Sequence, residues 1–134
     1  MGEHTVRNNN DERQVMSNEN LKLRTKQFAL RVIKLFESLP KDEVSRVLGR
    51  QLLRAGTSVS NYRAACRHKS SADFISKMGT VEEEADECGY WMELLVDAGK
   101  VKAVKISALM QEANELTAIA IASINTARKS VVRR

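Results

Sequence analysis

The sequence predicts an all-α protein, an antiparallel up-and-down four-helix bundle built as one domain. Three observations carry that reading. Apolar residues recur at three- and four-residue steps through four long segments. One proline, six glycines and 4% aromatic residues leave out the turn-rich composition of a sandwich or barrel. The length of 134 residues suits a single core.

The first segment runs from about Leu21 to Ser38, with Leu21, Phe28, Val32, Leu35, Phe36 and Leu39 on one face. Pro40 ends it, because the residue before a proline is pushed out of the helical region. The second runs from about Asp42 to Arg67 on a stripe of Val44, Leu48, Leu52, Ala55, Val59, Tyr62 and Cys66. Gly49 and Gly56 weaken it locally, by about 1 kcal/mol each against alanine if exposed.

Ser70 or Ser71 offers the N-cap of a third helix, which reaches to about Ala98 with Asp73 well placed in its first turn. Its core stripe is Phe74, Met78, Val81, Ala85, Cys88, Met92 and Leu95, and Gly99 closes it as a C-terminal cap. The fourth helix spans about Val101 to Arg128. Residues 1–20 read as a polar leader expected to be flexible, 21–128 as the bundle and 129–134 as a basic tail. Short connections at Pro40, Lys69 to Ser71 and Gly99 to Lys100 reverse the chain at each step.

Two helices carry more apolar surface than one core uses. On the third, Tyr90, Trp91 and Leu94 fall opposite the core stripe, beside Glu83 and Glu87, where a single bundle leaves them wet. On the fourth, Leu116 through Ile124 are apolar around most of the circumference, Ile119 and Ile121 included. A homo-oligomer is therefore expected, with Tyr90, Trp91, Leu94, Ile119 and Ile121 at its interface. Scattered surface apolar residues on a single bundle are the plainer alternative.

Charge is segregated along the chain. The net charge of +5 divides into +2 for residues 1–40, +5 for 41–69, −7 for 71–98 and +5 for 100–134. Arg46, Arg50 and Arg54 stand at four-residue steps away from the apolar stripe of the second helix, forming a guanidinium ladder. Arginine suits bidentate contact with phosphate or carboxylate, so two partners compete for it. One is an RNA or DNA backbone, which Arg63, Arg67, Lys69, Arg128, Lys129, Arg133 and Arg134 would also serve. The other is the acidic run Glu82 to Glu87 of the same or a neighbouring subunit, and Arg54, beside the core, is the rung most suited to it. In that second case the protein is an oligomeric interaction scaffold without nucleic-acid binding. Sequence-specific base readout is not expected with so few free aromatic residues.

Enzyme chemistry finds no support. A di-iron bundle needs Glu-x-x-His pairs on two helices, and the two histidines are His4 and His68. Cys66 and His68 lack a second pair for zinc. There is no nucleophile–base spacing and no glycine-rich phosphate loop. No metal or other cofactor is expected. Cys66 and Cys88 show no disulfide framework, and residues 1–20 contain no apolar signal core, so a cytoplasmic location is expected. The longest uncharged stretch, Leu116 to Ala127, is too short to span a membrane.

The stretch Gln51-Leu52-Leu53-Arg54-Ala55-Gly56-Thr57-Ser58-Val59, followed by Asn61-Tyr62-Arg63-Ala64-Ala65, resembles the signature of the four-helix-bundle proteins of 23S ribosomal RNA intervening sequences. Ser70 to Ile75, Val81 to Glu87, Tyr90 to Leu95 and Asn114 to Thr117 are similar to that family as well. The resemblance covers about Leu21 to Arg128. It implies a cytosolic bacterial bundle in a ring-like homopentamer, and kinship with the accessory protein of diversity-generating retroelements, which binds nucleic acid and a reverse transcriptase. It implies no catalytic activity. One departure stands out: the family usually places two small residues before the asparagine matching Asn61, where this chain has Ser60 alone. Losing one residue rotates the rest of a helix by about 100° unless a bulge absorbs it, so either family helices contain a π-bulge that this chain lacks or Arg63 and Arg67 point elsewhere here.

Overall fold

The computed structural model describes the backbone of residues 2–132 and the side chains of residues 19–132. The chain is all-helical, with α1 at Gly2–Ser38, α2 at Glu43–Ser58, a 3-10 turn at Val59–Asn61, α3 at Tyr62–Ala65, α4 at Ser71–Asp97 and α5 at Ala103–Val132. No strand occurs among the described residues.

The helix ends follow local chemistry. Asp42 caps α2 by accepting from the Ser45 amide at 2.9 Å, and its other oxygen takes the Ser45 hydroxyl, also at 2.9 Å. Ser70 caps α4 by accepting from the Asp73 amide at 3.1 Å, while the Asp73 carboxylate accepts from the Lys69 amide at 3.0 Å. The Asp42 and Ser70 caps each satisfy an amide donor that a helix start leaves free. At the far end of α4, Gly99 takes φ +73°. Its amide reaches Val96 O, and the Lys100 amide reaches Leu95 O, each at 2.9 Å, so the left-handed glycine closes the last turn.

The core gathers Phe28 and Val32 of α1, Leu52 and Ala55 of α2, Val59, Met78, Cys88, Met92 and Leu95 of α4, and Ile106, Ala113 and Leu116 of α5. Six of the seven residues expected on the α4 stripe are buried, and Phe74 is half-buried against the same core. Asp42, ahead of α2, pairs with Lys100, beyond the end of α4, at 3.3 Å. Farther along α2, Arg54 meets Glu87 and Glu84, which lie earlier in α4. Arg24 of α1 joins Glu112 of α5, with its Nε donating to Oε2 at 3.1 Å.

Four expectations need correction. Residues 2–20 continue α1 instead of preceding it. That stretch holds no proline, and asparagine and aspartate lower helix propensity by well under about 1 kcal/mol each without stopping a helix. The basic tail through Val132 likewise continues α5, and Arg133 and Arg134 lie outside the described residues. Val44 is 48% exposed, and the buried stripe of α2 is Ser45, Gly49, Leu52, Ala55 and Gly56. The two glycines are therefore contact points and not weak ones: a Cβ on Gly56 would stand 2.7 Å from Val32 Cγ1, and one on Gly49 2.9 Å from Leu39 Cδ1. Their missing side chains let α1 lie close on α2.

The second helix is also overwound where the resemblance departs. A 3-10 turn advances about 120° per residue against about 100° for an α-helix, so three such residues recover about 60° of the rotation that a missing residue costs. Tyr62 and Ala65 remain buried after it.

Candidate nucleic-acid interface

With Ser45, Gly49, Leu52 and Ala55 turned inward, the 100° step of a helix puts positions 46 and 50 on the outer face of α2. Arg46 and Arg50 are exposed there. The Arg46 Nη2 donates to its own connection at Lys41 O, 3.4 Å away, and neither side chain has an acidic partner among the described residues. Arg54 differs. Its Nη2 lies 2.6 Å from Glu87 Oε2 and its Nη1 3.3 Å from Glu84 Oε1. The hydrogen bond and charge of Glu84, then those of Glu87, raise its proton affinity further. The ladder thus divides into two open rungs and one held by α4.

A second group of cations gathers at one end of the bundle. Arg63 on α3, Arg67 and Lys69 in the connection to α4, and Arg128 and Lys129 near the end of α5 are all exposed. None forms a side-chain ion pair among the described residues. Between α3, the start of α4 and the last third of α5 runs a groove of about 570 Å³. His68 and Phe74 meet in it edge to face, with ring centroids 5.1 Å apart at 68°. The His68 Nδ1 sits 3.0 Å from Ala65 O.

The opposite end is cationic too, which the sequence reading missed. Lys100, Lys102 and Lys105 line a groove of about 460 Å³ beside Pro40 and Gly99, with exposed Lys41 next in sequence. The signal was present in the +5 of residues 100–134, and the Pro40 and Gly99 connections line the same groove.

The residues expected at an oligomer interface occupy different environments. Tyr90 is 56% exposed and Ile121 43% exposed. Leu94 and Ile119 are half-buried. Trp91 is not left wet: it packs against the core of its own bundle, touching Tyr90 edge to face at 5.1 Å. The reason lies in spacing, for position 91 follows 84 by seven residues and 87 by four, and those two carboxylates face Arg54 of α2. Among the described residues its Nε1 is buried without an acceptor, and Glu84 Oε2 without a donor. Along α4 the exposed carboxylates Glu83, Asp86, Glu93 and Asp97 have no basic partner among the described residues.

Among the described residues no three metal-ligating side chains come together. Cys88 is fully buried, and burial, followed by the charges of Glu84 and Glu87, pushes its thiol up to about 12. Burial also raises the Tyr62 phenol, which stands against Cys66. Among the described residues no helix is long and apolar enough to cross a membrane.

Comparison with known proteins places this geometry. A comparison with curated proteins gives no match. Among solved structures, a protein of unknown function from the S23 ribosomal protein family of Bacteroides thetaiotaomicron is similar, at 30% identity and a TM-score of 0.75. The likeness covers 81% of this chain and 97% of that one. The family model described as 23S rRNA-intervening sequence protein matches residues 19–122, which takes in α2, the overwound turn, α3, α4 and most of α5. The chain belongs to the family of 23S rRNA-intervening sequence proteins.

Proposed function

We propose that the protein is a non-enzymatic, homo-oligomeric bundle with an antiparallel up-and-down course that binds RNA or DNA through its phosphate backbone. One observation carries the reading: Arg46, Arg50, Arg63, Arg67, Lys69, Arg128 and Lys129 are exposed without acidic partners among the described residues, whereas Arg54 is held by Glu84 and Glu87. Side chains that a protein's own acids leave unused are available to a polyanion. The ring-like pentamer implied by the family resemblance would repeat these cations on each subunit and raise affinity through multivalency. A reverse transcriptase is a candidate protein partner on the same resemblance, and a cytoplasmic location fits it. Binding of labelled RNA and DNA at about 50 and about 200 mM salt tests the proposal, with a steep loss at the higher salt expected. Absence of binding at both would overturn it.

A second reading has its own observation. The carboxylates Glu83, Asp86 and Glu93 flank exposed Tyr90 on α4 and have no basic partner among the described residues, so Arg46 and Arg50 of another copy could meet them there. Under that reading the protein is an interaction scaffold. Replacing the two arginines would then alter its mass in solution and leave nucleic-acid binding negligible.

A further inference from the structure

Backbone contacts leave the chemistry of the 570 Å³ end groove unused. Among the described residues its lining contains no acidic side chain and divides into three kinds of surface. Leu21, Ile119 and Ala122 supply an apolar floor. His68 and Phe74 supply the paired rings. Ser71, Thr126 and Ser130 supply hydroxyls that make no hydrogen bond among the described residues, unlike the neighbouring Ser123, whose hydroxyl donates to Ile119 O at 2.8 Å. Helical serines and threonines commonly turn back on the preceding turn, so open hydroxyls inside a concave lining are available to a ligand. Arg67 and Lys69 flank the groove in sequence on one side and Arg128 and Lys129 on the other, all without acidic partners among the described residues.

A flat ring against aromatic and aliphatic groups, hydroxyls at its edge, and cations on both sides are the recognition needs of an unstacked nucleobase between its phosphates. The volume falls within the range of about 300 to 1,000 Å³ typical of small-ligand sites. A duplex keeps its bases stacked and offers nothing to such a groove. We infer that the end groove receives one flipped-out or single-stranded base, so that the nucleic acid held here is single-stranded at that point. This rests on the nucleic-acid reading above and adds to it a site and a strand class.

The test is fluorescence anisotropy with a labelled single-stranded oligonucleotide and the duplex of the same sequence, using the full chain and the variants Ala122→Phe and Thr126→Phe. Both positions are exposed, so each phenylalanine fills the groove without entering the core. Circular dichroism melts check that each variant folds, and either folded variant suffices. The expected result is tighter single-strand binding by the parent protein, about tenfold weaker single-strand binding by the variants, and unchanged duplex affinity. A nucleoside monophosphate should compete for the single strand where inorganic phosphate at equal concentration does not. Single-strand binding unchanged by the phenylalanines, or lost equally with duplex binding, overturns the groove and leaves the backbone reading standing. No binding of either nucleic acid by the parent protein overturns both.

Discussion

Arg54 Nη2 stands 2.6 Å from Glu87 Oε2 and ties α2 to α4, while Arg50, one turn earlier on the same helix, has no acidic partner among the described residues. The three arginines of one ladder therefore stand in two different environments. Glu84 is 15% exposed, and losing Arg54 would leave its charge uncompensated. Arg54→Ala should lower the melting temperature while leaving nucleic-acid affinity nearly unchanged. Thermal melts and anisotropy on the same variant check both halves.

Two glycines should respond in opposite directions. Gly56→Ala puts a methyl 2.7 Å from Val32 Cγ1 and forces α1 away from α2, an overpacking cost of about 1 to 3 kcal/mol. Gly79 has nothing within 4 Å of a built Cβ, so Gly79→Ala should stabilise α4 by up to about 1 kcal/mol through helix propensity. Urea unfolding of the pair distinguishes close approach from mere backbone freedom.

Neighbouring aromatics should separate in the same way. Trp91→Ala removes a group packed on the core and should cost about 3 kcal/mol of stability. Tyr90→Ala, at a site 56% exposed, should leave stability almost unchanged and shift the light-scattering mass toward monomer. A mass unaffected by Tyr90→Ala would remove that residue from the proposed interface.

The two capping aspartates give a pH dependence of known sign. The amide and hydroxyl of Ser45 hold Asp42 below its ordinary 3.8, and the Lys69 amide, with Lys77, holds Asp73 below the same value. Each carboxylate is more acidic folded than unfolded, so its contribution is complete above about pH 4 and is lost as pH falls through the folded value. Unfolding midpoints measured from pH 7 downward should drop below about pH 4, less steeply in the Asp42→Asn, Asp73→Asn double variant.

The repeating stripe of α4, the Ser70 cap and the Gly99 stop were legible because each depends on residues within a turn or two of one another. Partnerships across helices were not. Gly49 and Gly56 read as weaknesses because the Phe36 and Val32 side chains that need their space belong to another helix. Trp91 read as an outer residue because its wheel position alone does not say which side α2 will cover. Residues 2–20 read as a leader because they lack apolar periodicity, although nothing in them stops a helix already begun downstream. Of the candidate interface, the arginine ladder was visible in its spacing. The end groove was not, since Leu21, Phe74 and Thr126 share it only after folding.

The most direct test is the salt dependence of nucleic-acid binding for the parent protein, Arg54→Ala and the Arg46→Ala, Arg50→Ala double variant. The double variant should bind more weakly and show a salt slope shallower by about 1 for each phosphate it no longer neutralises, with Arg54→Ala matching the parent protein. Equal affinity and slope in all three, or a double variant that changes only the mass of the assembly, would contradict the account and assign Arg46 and Arg50 to contacts between subunits.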